Sequence, residues 1–502
     1  MTLTAPRADG EYYVSLEVVD RQGRADRATT YFVVREGRPR LPNLSSENPA
    51  WVEKAVVYGV VPHNFGPRGF RSVFERLDYL RDLGVNTLWL SPCTATPGEG
   101  HGYAVSDYFD VRRDYGTRRE FKGLIRAAHA RGLRVLMDFV PNHSSVHHPY
   151  MQDALARGRA SPYHGFYEWD RKGGGHQYYF HWRHLPNLNY DNPQVCRWML
   201  EAFSYWVREC DVDGFRVDVA WGVRLRRPSF WPAWRRELKR IKPDLLLLAE
   251  ATARDPYYFR RGFDAAYDWT DEPGKWSWEH VFEDPDQIVL RLRSALTPAA
   301  GLLRSPRVNE GRAFHRDALV FRFLNNNDTG PRFLSRYGPE MEKVAAAMLL
   351  SLPGLPCIYT GQEVGAEFEP YKTPGPISWE NRHGLRGYYR RLIALRGEHP
   401  SLRSRDWELM EVRSAEQVLA YCRCGGGGSA PVLVVLNFSP RPAWADIRIP
   451  RASCWQSTGG MARDLLTGTR VALRASGRGL TRVTLPRLSA RFLSGAHSSC
   501  GG

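Results

Sequence analysis

The chain has 502 residues, 43% hydrophobic and 25% charged, with a formal net charge of +16. That length holds roughly two to four domains, or one α/β barrel of about 250 residues plus smaller units. No run of about 18 apolar residues is present, which excludes a helical membrane span, and none of the eight Cys forms a CxxC pair, which argues against zinc.

The positive charge does not point to nucleic acid. Only 8 of the 70 basic residues are Lys, and the Arg are spread along the whole chain, as a coding bias would leave them. The densest group, Arg224, Arg226, Arg227, Arg235, Arg236, Lys239 and Arg240, reads as a solvated helix face. The Cys are expected as mostly buried thiols, with room for a pairing inside the last hundred residues. The start, "MTLTAPRADGEYY", lacks the basic-then-apolar pattern of a signal peptide, so a cytoplasmic location is the expectation.

Residues 11–35 read as two strands around a Gly-bearing turn, the closing hairpin of a small β-sandwich. Taken as a segment of 1–45, they are too few to stand alone comfortably. A Pro/Asn/Ser linker follows. From Val56 the texture changes, and eight short apolar runs alternate with helical patterns: "AVVYGVVP", "VNTLWLSP", "LRVLMDFVPN", "DGFRVDVA", "LLLLAEA", "FDAAYDW", "LVFRFLNNND" and "LPCIYTG". Helix-like stretches such as "FKGLIRAAHARGL" lie between them, with apolar spacing near 3.6 and a closing Gly. Strand–helix alternation repeated eight times predicts an α/β fold, a (β/α)8 TIM barrel over residues 50–396. The stretch from Asn142 to Asp191, rich in His, Tyr and Gly, is too long for a simple loop and reads as a subdomain inserted after strand three. Residues 397–495 read as an antiparallel C-terminal β-domain, in which "GGGG" at 425–428 is a hairpin loop, because no helix start follows it to cradle a phosphate.

Charges stand at the ends of four apolar runs: Asp138, Asn142 and His143; Arg216 and Asp218; Glu250; and Asp328. A single such residue reads best as a helix cap or a surface turn. Four sets on one rim read as a catalytic mouth, because barrel enzymes place their chemistry at the C-terminal strand ends. Cleaving a glycosidic bond with retention needs a carboxylate nucleophile and a carboxylic acid about 5–5.5 Å apart. Arg216 and Asp218 are i and i+2 on one strand and so share a face. A neighbouring Arg favours an ionised Asp218. Glu250 follows "LLLLA", an apolar run suited to raising the pKa of an acid. Sixteen Trp and 24 Tyr are compatible with sugar stacking, although for any single aromatic a large core residue is the better reading.

Several motifs in order resemble those of the α-amylase family of retaining glycoside hydrolases: "HGYAVSDY" (101–108), "DFVPNHSS" (138–145), "DGFRVD" (213–218), "AEA" (249–251) and "FLNNND" (323–328). The resemblance covers roughly residues 50–490. It implies Asp218 as nucleophile, Glu250 as general acid/base and Asp328 as the residue that binds sugar hydroxyls and helps distort the ring. It further implies that Arg216 orients Asp218, that His143 contacts the sugar and that Tyr103 stacks on it. His101, Asn327 and Trp221 complete the expected substrate site. The chemistry requires no cofactor.

The chain departs from the family pattern in three places. Asn327 stands where His is usual. Trp221 and Gly222 stand where calcium-dependent members carry Lys-His, which weakens the case for calcium and leaves Asn142 as its candidate ligand. Ala104 stands where exo-acting α-glucosidases carry Asp, which favours an endo-type or oligosaccharide-cleaving enzyme. The motif "LPNLN" (185–189) does not settle linkage. The leading expectation is hydrolysis of α-1,4-linked glucans or maltooligosaccharides, with no nucleic-acid or membrane partner. A neopullulanase/cyclomaltodextrinase type is suggested by the preceding β segment. A transglycosylase or isomerase, or a non-catalytic carbohydrate-binding protein on the same scaffold, stay open; the intact Asp218, Glu250 and Asp328 speak against the last.

Overall fold

The computed structural model describes residues 4–23, 25–40, 48–98, 100–170, 175–296, 318–373, 375–425, 429–456, 460–476 and 479–495. All eight apolar runs are strands of one closed parallel barrel: Val57–Val60, Thr87–Leu90, Arg134–Phe139, Gly214–Val217, Leu246–Thr252, Ala265–Tyr267, Val320–Phe323 and Leu355–Tyr359. Strand eight closes on strand one with Cys357 beside Val57. Parallel strands buried on both faces read as continuous apolar runs, which is why these eight were legible.

The helices follow from local chemistry. Helix Arg118–His129 begins with a capping box, in which Thr117 accepts from Glu120 N–H and the Glu120 side chain reaches back. Its buried stripe is Phe121, Leu124, Ile125 and Ala128, one face at helical spacing. Helix Pro193–Cys210 has Asn192 as cap and Pro at its first position. From it, Phe203 packs on Phe139 and Phe215, so the outward faces of strands three and four rest on aromatic rings.

Between strand three and that helix lies the inserted segment. It contains the helix Pro149–Arg157 and is tied together by isolated bridges, among them His143 with Asn187 and Tyr167 with Leu188. The N-terminal hairpin is a three-stranded antiparallel sheet, Gly10–Val19, Ala25–Arg35 and Arg38–Arg40. Its third strand carries Pro39 at the sheet edge, where a missing N–H is tolerated.

The Arg-rich group is not a solvated face. Arg235 is buried and bridges Asp264 and Glu11 at 2.9 Å each. Lys239 also reaches Asp264, Arg224 pairs with Asp255, and Arg226 pairs with Glu168. Helix Phe230–Ile241 buries Trp231, Trp234 and Leu238, and position 235 falls on that same face. An acid at each contact made the burial tolerable.

The C-terminal domain is a nine-stranded antiparallel sheet folded around its own core of Val418, Leu433, Val435, Ile447, Val483 and Leu493. Strand Val432–Asn437 is apolar on both faces because Val432, Val434 and Leu436 pack toward the barrel while Leu433 and Val435 face inward. Cys424 and Cys454 form a disulfide here, and Cys93, Cys210, Cys357 and Cys422 are buried thiols. Most of "GGGG" (426–428) lies outside the described residues; the strands on either side of it pair antiparallel. Among the described residues, no helix is long and apolar enough to cross a membrane.

Candidate active site

Parallel register assembles the site. Arg216 sits opposite Asp138 on strand three and opposite Leu248 on strand five, so Asp138, Arg216, Asp218 and Glu250 all turn into the barrel mouth. Val217 and Ala249 point the other way, toward the helices.

Arg216 is the hub. Its Nη1 donates to both oxygens of Asp138 at 3.0 and 3.1 Å and to Asp218 Oδ1 at 3.0 Å. Its Nη2 lies 2.6 Å from Glu250 Oε1. Its Nε donates to the Tyr267 hydroxyl at 2.9 Å. The expected Arg216–Asp218 contact is present, and Arg216 favours the charged form of Asp218, but the guanidinium is divided among three carboxylates. Burial, with the charge of Glu250 behind it, pushes the Asp218 carboxyl well above the usual range despite Arg216. Burial pushes Asp138 up to about 7, with Arg216 opposing. One guanidinium faces several crowded carboxylates, so Asp138, Asp218 and Asp328 are each pushed toward the protonated form by burial and by neighbouring carboxylates while Arg216 opposes.

The run before Glu250 is buried, and besides Arg216 its Oε2 accepts the Val219 N–H at 2.7 Å. Val219 reaches this geometry with φ 45°, ψ 42°. A β-branched residue in left-handed backbone is strained by about 1–3 kcal/mol, and such strain concentrates at functional turns.

"NNND" is explained residue by residue. Asn325 accepts from Phe333 N–H and anchors the next helix. Asn326 accepts from the N–H groups of Asp328 and Thr329 and shapes the turn that presents Asp328. Burial and Glu250 push the Asp328 carboxyl up to about 6, with Arg216 and Tyr371 opposing. The Nδ2 of Asn327 donates to Tyr103, Tyr371 and Asp328. Of the two amide atoms only the nitrogen can face a carboxylate, so its donors are engaged within the protein; Oδ1 makes no hydrogen bond with the described residues.

Tyr103 is buried, and its hydroxyl donates to Asp138 Oδ2 at 3.1 Å. Exposed His101 accepts from the Tyr103 N–H and packs its ring on Tyr103 and Tyr371. His143 stacks on Tyr179, ring centroids 5.1 Å apart. Burial pushes its imidazole down to about 3, with Arg226 helping and the Tyr103 main chain opposing. Its Nε2 and the Oδ2 of Asp218 are buried and make no hydrogen bond with the described residues. Trp221 is half-buried and joins Tyr179 and Phe180 in an aromatic group beside His143. Asn142, the candidate calcium ligand, instead accepts from Arg226 through its Oδ1.

Asp138 was placed on the rim without a partner or role, and three further residues of the site were missed. Tyr267 could have been found by treating every polar strand-end residue as inward-facing. Tyr179 and Tyr371 lie in irregular segments, where periodicity carries no signal.

A family model described as the α-amylase catalytic domain matches residues 64–176 and 168–383. The chain is 34% identical over 408 residues to an enzyme named alpha-amylase MalA from Haloarcula japonica; the alignment covers 78% of this chain and 57% of that relative. It is 28% identical to a cyclomaltodextrinase from Geobacillus thermopakistaniensis, covering 85% of this chain and 75% of the relative. In fold, it resembles the acarbose-soaked debranching enzyme of Nostoc punctiforme, with TM-score 0.72 at 21% identity over 91% of this chain and all of that one.

Proposed function

The chain belongs to the α-amylase family of glycoside hydrolases, and on that premise we propose that it cleaves α-1,4-glucosidic bonds in starch-type glucans or maltooligosaccharides with retention. The observation that carries this is the sharing of one guanidinium by Asp218 and Glu250, with Asp218 Oδ2 making no hydrogen bond with the described residues. A common Arg suits the short carboxyl separation of a retaining pair, about 5–5.5 Å, better than the longer one that admits a water between them.

In this reading, Glu250 gives its proton to the glycosidic oxygen as Asp218 Oδ2 attacks the anomeric carbon. The C–O bond to the leaving sugar breaks and a glycosyl ester forms on Asp218. Water then attacks the same carbon, Glu250 takes its proton, and Asp218 leaves as carboxylate. His143 and Asp328 hold the hydroxyls of the sugar being cleaved, and the Tyr103 ring lies beneath it.

A second reading, a cyclomaltodextrinase type, is favoured by the N-terminal sheet welded to the barrel through Glu11 and Arg235, and by the name of the Geobacillus relative. Time courses on starch, pullulan, cyclodextrin and maltose separate the two. Faster opening of cyclodextrin than of starch selects the second reading. The anomer first released, read by NMR, tests both: α is expected, and β would overturn the double displacement.

A further inference from the structure

Where barrel strand three meets the inserted segment, four oxygens converge: Asn142 Oδ1, the main-chain carbonyls of Asn142 and Leu188, and a carboxylate oxygen of Glu168. Hard oxygens of these kinds are what a calcium ion takes. What they surround is the Arg226 guanidinium. Its Nη2 donates to Asn142 Oδ1 at 2.6 Å, its Nη1 to Asn142 O at 3.3 Å and Leu188 O at 3.4 Å, and its Nε lies 3.3 Å from Glu168 Oε2. Gly222 crowds the same amide: a Cβ there would fall 2.3 Å from Asn142 Oδ1. Calcium would have to approach these oxygens to about 2.3–2.6 Å, into the volume and against the charge of the guanidinium. The residues present do not fit the metal.

We propose that Arg226 is itself the cation of this junction, and that through Asn142 it fixes His143 in the tautomer that donates from Nε2. A guanidinium only donates, so the end of Asn142 facing it must be Oδ1. That turns the amide nitrogen toward His143 Nδ1, 3.0 Å away. An amide NH2 also only donates, so Nδ1 accepts and the neutral ring carries its proton on Nε2. Nε2 is the buried atom that makes no hydrogen bond with the described residues. Arg226 is thus a positioning residue that acts through Asn142 on a group at the substrate. The catalytic half of this rests on the glycosidase reading above; the junction half does not.

Three proteins test it: the parent, Arg226→Met and Asn142→Asp. The parent's melting temperature is expected to be the same in EDTA and in millimolar calcium. Arg226→Met is expected to melt lower. Asn142→Asp keeps an acceptor for Arg226 but presents an acceptor to His143 Nδ1, so its melting temperature should hold. The His143 nitrogens are read by 15N NMR, assigned against His143→Gln. The parent should show a protonated Nε2 and bare Nδ1, whereas Asn142→Asp should move the proton to Nδ1 and lower kcat/KM by about tenfold or more. Melting and NMR report even if no α-glucan is turned over, which would count against the glycosidase reading alone. The proposal is overturned by a saturable, EDTA-reversible rise of the parent's melting temperature with calcium, or by an unchanged His143 tautomer in Asn142→Asp. If Arg226→Met does not fold, these two measurements still decide.

Discussion

The Tyr371 hydroxyl donates to Asp328 Oδ1 at 3.1 Å while accepting from Asn327 Nδ2 at 2.6 Å, so a half-exposed ring from the loop after barrel strand eight is latched onto the strand-seven carboxylate.

This latch sets an acid limb. A donor to a carboxylate favours its charged form, so Tyr371 holds Asp328 lower than burial and Glu250 alone would. In Tyr371→Phe the Asp328 carboxyl rises from about 6. In the proposed reading Asp328 accepts sugar hydroxyls in its ionised form, so the acid limb of kcat/KM is expected to move to higher pH. Activity should fall several-fold near pH 5 and little near pH 8. A limb that stays in place would separate Tyr371 from the working carboxylate.

In the proposed double displacement, Asp218→Asn removes the atom that would form the glycosyl ester. Turnover should drop below about 1% of the parent. The melting temperature should hold or rise, because the amide relieves a buried carboxyl crowded by Glu250 while Arg216 keeps Asp138 and Glu250. Retained turnover would place the nucleophile elsewhere.

Asn327→Ala unlatches Tyr103, Tyr371 and Asp328 together. We expect kcat and kcat/KM to fall in parallel by roughly ten- to hundredfold, the mark of an arrangement used mainly in the transition state. Asn327→His should be tolerated. Steady-state kinetics on a chromogenic maltooligosaccharide check both, and parent-like constants for the Ala variant would remove position 327 from the site.

Asp213 tests structure rather than chemistry. It is buried at the start of barrel strand four. Burial works to raise its pKa, but His129, Arg134, Lys242 and the Val135 N–H together hold it down at about 2. The folded value lies below the unfolded one, about 3.9, so roughly 2–3 kcal/mol of stability is present above pH 4 and lost as pH falls toward 2. Asp213→Asn should therefore melt lower than the parent at neutral pH, with the gap closing in acid. A gap constant with pH would assign the loss to packing.

The barrel was legible because its strands, buried on both faces, form the plainest pattern a sequence can carry. The carboxylates were legible because a charge ending such a run has few reasons to be there. The division of Arg216 was not, since i and i+2 spacing shows that Arg216 and Asp218 share a face but not which acids arrive from neighbouring strands. Asp138 comes from barrel strand register, and the Val219 N–H on Glu250 from a backbone angle that no residue type announces. Arg235 and Arg226 misled for a related reason: a run of Arg looks solvated until the acids that meet it, Glu11, Asp264 and Glu168, are brought in from distant segments.

Asp264 lies in the buried seam with two cations, Arg235 and Lys239, and Glu11 supplies the second negative charge. A recombination event that severs the leading segment at the Pro-rich linker would strand a surplus positive charge beneath the barrel, and a graft from a relative would succeed only if it brought an acid to the same spot. The small leading sheet is in that sense a counter-ion for the scaffold, and its loss or exchange is constrained by charge before shape is considered.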